Sequence, residues 1–90
     1  MKYFASLREL IGISEEEYEL QEGTTLKDLI LKHVPERHKE IADEWINEVN
    51  KIISGKKEGY MFIVNGDRAD LDRKLNEGDV AALLPPVGGG

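Results

Sequence analysis

Apolar residues recur along this chain with two different periods, and each change of period marks a change of element. Tyr18 and Leu20 alternate with Glu17 and Glu19, the two-residue repeat of a strand with one wet face. Ahead of it, residues 1–6 predict a short strand that runs into a turn over Arg8-Glu9-Leu10-Ile11 and ends at Gly12. After a turn at Gln21-Glu22-Gly23 the period lengthens. Thr25 and Asp28 stand at capping-box spacing, and Leu26, Leu29, Ile30 and Val34 form a helical stripe that Pro35 is expected to stop. A second helix is predicted over residues 36–53, because Ile41, Trp45, Val49, Ile52 and Ile53 recur at spacings of three and four. Its stripe has core spacing and assigns Trp45 to covering a sheet.

The last third returns to strand signals. Gly55 and Gly59 bracket a Lys56-Lys57 loop, residues 60–64 form an apolar strand, and Asn65-Gly66 is a strong hairpin signal. A returning strand is predicted over residues 68–71, then a turn at Asn76-Glu77-Gly78-Asp79, then a final strand over residues 80–84. Strands at both ends with helices between them give an α+β sheet carrying helices on one face.

Composition narrows the function more than the fold. Ninety residues make one small domain, with room for one core and none for a cleft between domains. The net charge of −6 argues against nucleic-acid binding, which draws most of its affinity from Lys and Arg on phosphates. Cysteine is absent, which removes disulfides, thiolate metal sites and any persulfide held on a side chain. The chain has no leader and no long apolar run, so no membrane partner and a cytoplasmic location are expected. His33 and His38 are separated by Pro35 and lie on different helical faces, so they do not form a metal pair. The run Glu15, Glu16, Glu17 reads as a solvated acidic edge. No phosphate loop, nucleophile elbow or Cys/His or Ser/His/Asp set is present.

What chemistry there is lies at the end of the chain. Residues 85–90 are Pro85, Pro86, Val87, Gly88, Gly89 and Gly90. The two prolines hold the backbone extended, and the glycines carry no side chain that could pack, ligate or catalyse. A stiff stalk with a thin tip results, reaching roughly 20 Å at ~3.3–3.6 Å per residue. Such a tail is suited to carrying the Gly90 carboxylate into another protein's active site. A chain without an active site but with a presented carboxylate reads as a substrate or donor arm for other enzymes.

Phe4-Ala5, Leu7-Arg8-Glu9-Leu10 with Gly12, Val64-Asn65, Leu75 with Gly78-Asp79, and Pro85-Pro86-Val87 before the closing Gly89-Gly90 together resemble the MoaD family, the small sulfur-carrying subunits of molybdopterin synthase. The resemblance covers nearly the whole chain. It implies a ubiquitin-like β-grasp fold over residues 1–84, a mixed sheet with helices on one face, and a tail over residues 85–90. The strand from Val80 would run parallel to the first strand at the sheet's centre. By the same resemblance, an E1-like adenylating enzyme (MoeB-like) uses ATP to activate Gly90, and a sulfur donor converts it to a thiocarboxylate. The large synthase subunit (MoaE-like) then takes the tail, with Pro85, Pro86, Val87, Gly88 and Gly89 threading its pocket, and sulfur passes to cyclic pyranopterin monophosphate. No permanently bound cofactor is implied.

Phe4, Arg8, Arg68 and Leu84 would face the partner. Three features depart from the family. The first strand begins at Met1, several residues short, residues 36–57 are longer and more helical, and Arg68 replaces an apolar side chain. The same tail would also serve a carrier for thiamine synthesis or tRNA thiolation, or a ubiquitin-like modifier joined to lysines. A non-carrier interaction domain is the remaining class.

Overall fold

The computed structural model describes residues 1–86. Residues 87–90, which hold most of the tail, lie outside the described residues.

Three strands form a sheet in the order β2-β1-β3: β1 (Met61–Val64), β2 (Asp67–Arg68) and β3 (Ala81–Leu84). Asn65 and Gly66 sit at φ 54° and 83°, the left-handed pair that a two-residue hairpin needs to follow the twist of its strands. β1 runs antiparallel to β3, pairing Met61 with Leu84, Phe62 with Leu83, Ile63 with Ala82 and Val64 with Ala81. On the other side of β3, Lys2 forms a parallel bridge to Ala82, and its N–H donates to the Ala81 carbonyl at 2.8 Å. β3 therefore lies between a parallel and an antiparallel neighbour, which makes the sheet mixed. The α+β, β-grasp expectation holds.

The first strand is shorter than predicted. Lys2 alone bridges, to Ala82 and to Glu15, and the chain then turns at Ala5, φ 51°, into helix α1 (Ala5–Ile11). Leu7 is buried and Leu10 and Ile11 are half-buried. That i, i+3, i+4 spacing belongs to a helix, so the apolar triplet overrides the strand reading at its end. Gly12 closes α1 and donates to the Arg8 carbonyl at 2.8 Å.

The alternation at residues 17–20 keeps its burial pattern, with Tyr18 and Leu20 half-buried between exposed Glu17 and Glu19, but forms no ladder. The returning strand is likewise cut to Asp67–Arg68. The segment after it is diverted to a helix: the Leu71 and Arg73 carbonyls accept from Lys27 and Leu26 N–H at 2.9 and 2.8 Å. Those N–H groups open α2 (Leu26–Asp28) and have no partner inside it. The Thr25–Asp28 capping box is present in both directions.

Pro35 does not stop the helix. A π turn over Leu29–His33 follows α2 and leads into α3 (Val34–Arg37). In the wider register Val34 N–H bonds to the Leu29 carbonyl, so the Ile30 carbonyl would next need the N–H of residue 35. Proline has none. The buried Trp45 indole takes that place, Nε1 donating to Ile30 O at 2.7 Å. The chain passes through a proline because a side chain from the next helix replaces the missing donor.

The helix predicted over residues 36–53 is broken at His38, whose φ of −114° and ψ of 65° are not helical. A 3-10 turn (Lys39–Ile41) leads to α4 (Ala42–Ile53). Trp45, Val49 and Ile52 are buried as the stripe predicts, while Ile53 is 40% exposed and leaves it. Trp45 meets Tyr3 edge to face, centroids 5.6 Å apart, a favoured aromatic geometry. Leu7, Leu26, Leu29, Ile30, Val64 and Leu83 complete the centre of the core.

Candidate functional site

Register sorts the sheet into two faces, because directly opposed residues point the same way and neighbours along a strand point oppositely. Val64, Ala81 and Leu83 are buried against the helices, and Phe62 packs on the same core. The other face carries Met61 with Leu84, Ile63 with Ala82 and Arg68, and Lys2 beside Ala82. Tyr3 is buried, so alternation places half-buried Phe4 on the outer side with Lys2. Met61, Ile63 and Leu84 are half-buried there. The outcome is a small apolar strip rimmed by Lys2 and Arg68, and β3 crosses it directly into Pro85 and Pro86.

Of the residues singled out from the sequence, Phe4, Arg68 and Leu84 are thus brought to one face. Arg8 stands one helical turn beyond Phe4 on α1, exposed, its N–H bonded to the Phe4 carbonyl at 3.3 Å. Pro85 is half-buried and Pro86 exposed. Val87, Gly88, Gly89 and Gly90 lie outside the described residues. Met61 and Ile63 escaped the sequence reading because residues 60–64 are apolar throughout, which hides the alternation. Gly59 escaped as well. An added Cβ there would stand 2.6 Å from Pro86 Cβ.

The turn that precedes β3 is tied to the hairpin. Asn65 Nδ2 donates to Asp79 Oδ1 at 2.8 Å, and Val80 N–H donates to Asn65 Oδ1 at 2.9 Å. Asp79 also accepts from Asn76 N–H at 2.8 Å. These bonds hold the Asp79 carboxyl below its ordinary range, the Asn76 backbone bond first and the Asn65 amide second. The entry to β3 is thereby tied to the hairpin turn at Asn65 and to the preceding turn at Asn76.

Away from this face, Glu16 is the centre of a polar cluster and not part of a solvated edge. Its Oε2 accepts from Tyr3 OH, from Tyr18 OH at 2.8 Å and pairs with His38 Nε2 at 2.7 Å, while Arg37 reaches Oε1 at 3.3 Å. Arg37 also lies over the Tyr18 ring, 3.9 Å from its centroid. Burial pushes the Glu16 carboxyl up, but the hydrogen bonds from Tyr3, His38 and Tyr18 outweigh it and leave it at about 2. Burial and the Glu16 bond push the Tyr3 phenol up, and Tyr18 rises to about 12, burial again leading. A carboxylate saturated with donors is a poor base, so this cluster serves as a tie between residue 16 and the helix break at His38. Among the described residues no group of three or more His, Cys, Asp and Glu could hold a metal ion, and no helix is long and apolar enough to cross a membrane.

Known proteins of the same shape and sequence pattern agree with this geometry. A curated relative from Chlamydomonas reinhardtii, named molybdopterin synthase sulfur carrier subunit, is 29% identical over 90 residues, covering 98% of this chain and 93% of its own. A solved structure from Pyrococcus furiosus described as molybdopterin converting factor, subunit 1, superposes with a TM-score of 0.65 at 32% identity, covering 96% of this chain and 93% of its own. The crystal structure of SAMP1 from Haloferax volcanii gives a TM-score of 0.71 at 27% identity, covering 99% and 94%. The sequence model of the ThiS family matches residues 1–90. With β3 between antiparallel β1 and the parallel bridge to Lys2 and its end leading into the Pro-Pro-Val-Gly-Gly-Gly segment, the chain belongs to the ThiS family.

Proposed function

We propose that this protein is a sulfur carrier of molybdopterin synthesis, its cargo held as a thiocarboxylate on Gly90. The observation that carries the reading is the continuity of β3 with the tail beside an apolar outer face. Residues 81–84 pair with β1 along their whole length, and Ala82 also bridges to Lys2 on the other side, so a partner that docks on Met61, Ile63 and Leu84 receives the tail from a defined origin. The names of the relatives from Chlamydomonas and Pyrococcus support the pathway.

A terminal carboxylate is anionic and unreactive at neutral pH. Its oxygen attacks the α-phosphorus of ATP on an E1-like (MoeB-like) adenylating enzyme, and pyrophosphate leaves. A sulfur donor at the oxidation level of hydrosulfide then attacks the acyl carbon, the C–O bond to phosphate breaks, and AMP departs with the electron pair. The large (MoaE-like) subunit accepts the tail, the sulfur forms its new bond to cyclic pyranopterin monophosphate, and water attacks the Gly90 acyl carbon, breaking the acyl–sulfur bond and returning the carboxylate. This chain contributes no acid or base to those steps; it supplies a docking face, a rigid strand and the terminal carboxylate. The setting is cytoplasmic, where ATP and reduced sulfur are both present.

Intact-mass measurement after incubation with the adenylating enzyme, ATP and sulfide tests the reading. The expected product gains one sulfur for one oxygen at Gly90, and loses it on addition of the large subunit and cyclic pyranopterin monophosphate. A product that loads but delivers only to thiamine precursors or tRNA would replace the pathway. Gly90 joined to lysines of other proteins in place of loading would make the chain a modifier.

A further inference from the structure

We propose that Gly59 is a positioning residue for the tail: by lacking a side chain it seats the Pro86 ring and sets the direction in which the chain leaves the sheet. The proposal rests on the carrier reading and names a residue outside the tail, beyond the end of the Met61, Ile63 and Leu84 strip. The last paired residues of β1 and β3 are Met61 and Leu84. Two residues further out on each strand bring Gly59 opposite Pro86, on the same side of the sheet as Met61 and Leu84. A ladder bond cannot form at Pro86, which has no N–H. Close packing takes its place, with the ring where a cross-strand side chain would stand.

Gly59 has φ +86°, and a Cβ built on it would lie 2.6 Å from Pro86 Cβ, 3.4 Å from Cγ and 3.6 Å from Cα. The first distance is too short for real carbon atoms. A long side chain would rotate away, but a proline ring is closed onto its own backbone nitrogen, so relief requires the backbone at residue 86 or at residue 59 to move by on the order of 1 Å. Residue 86 is the root of the tail. A shift of ~1 Å in the placement of a reacting group is enough to cost about 100-fold in rate, and here the displaced residue is joined through the tail to the reacting carboxylate of Gly90.

Gly55 provides the control. Its φ is +84°, and an added Cβ meets nothing within 4 Å, so Gly55→Ala imposes the same backbone strain without the collision. ATP–pyrophosphate exchange by the adenylating enzyme, normalised to folded protein by circular dichroism, reads the effect. Gly59→Ala should lower kcat by roughly 10–100-fold with KM little changed, because the docking face is untouched, while Gly55→Ala should match the wild type. In a Pro86→Gly background the ring is gone, so Gly59→Ala should add no further loss. A nuclear Overhauser contact between the Gly59 α-protons and the Pro86 ring is expected in the wild type and needs no variant to fold. Equal kcat for Gly59→Ala and wild type, a rise in KM alone, an undiminished loss in the Pro86→Gly background, or absence of that contact would each overturn the assignment. If the wild type itself supports no exchange, the carrier reading falls and takes this role with it.

Discussion

Replacing Trp45 with Phe isolates the bond by which the chain passes through Pro35. Phenylalanine keeps a ring in the core but removes two carbons and the indole N–H that donates to Ile30 O at 2.7 Å. The carbons are worth ~0.8 kcal/mol each when buried. The carbonyl, left in a fully buried setting, costs a further ~1–3 kcal/mol, so the variant should lose about 3–5 kcal/mol. For a domain of this size that lowers Tm by more than ~10 °C. Trp45 is the sole tryptophan, so urea and thermal unfolding are followed by far-ultraviolet circular dichroism, not fluorescence.

The decisive measurement is the double-mutant cycle with Pro35→Ala. Alanine restores an N–H at the position that the π register aims at the Ile30 carbonyl, so the loss caused by Trp45→Phe should shrink by at least ~1 kcal/mol in that background. The effect of Pro35→Ala on the unfolded chain appears on both sides of the cycle and cancels. Additivity within ~0.3–0.5 kcal/mol would refute the account, since it would mean that the indole bond and the missing amide are unrelated.

Leu83→Ala should cost about 2–5 kcal/mol as a buried truncation, measured by urea unfolding, whereas Leu84→Lys should leave stability nearly intact and weaken binding to the large subunit, measured by calorimetry. Reversed phenotypes would put the sheet in the wrong register. Deleting Gly89 and Gly90 should abolish sulfur loading in the intact-mass assay with an unchanged melting curve. Glu16 titrates near 2 in the fold, below its unfolded range near 4.5, so the folded state binds fewer protons there. Its contribution of about 3 kcal/mol, at ~1.36 kcal/mol per pKa unit, is present above pH ~4.5 and lost as pH falls towards ~2. Glu16→Gln should flatten stability across that window, and an unaltered slope would show that the cluster does not hold the carboxylate ionised.

Much of the architecture could be read from the residues themselves. Asn65-Gly66 marked the hairpin because only a left-handed pair closes it. Thr25 and Asp28 marked a helix start because the capping box is a local contact three residues long. The buried stripe of Trp45, Val49 and Ile52 followed from helical spacing, and the opposite placement of Leu83 and Leu84 from strand alternation.

What local pattern missed was decided by contacts far apart in the chain. Pro35 reads as a stop until Trp45 supplies a donor from another helix. A single helix is predicted over residues 36–53, yet it breaks at His38, whose side chain pairs with Glu16 from another part of the fold. The Glu15, Glu16, Glu17 run looks uniform, but only Glu16 meets Tyr3, Tyr18 and His38. Met61 and Ile63 join Leu84 on one face only once the β1–β3 register is known, and Gly59 matters only because that register carries Pro86 over it. Short-range conformational preferences are written into neighbouring residues, whereas the partner of a buried polar atom, or of a missing side chain, exists only after the chain has folded back on itself.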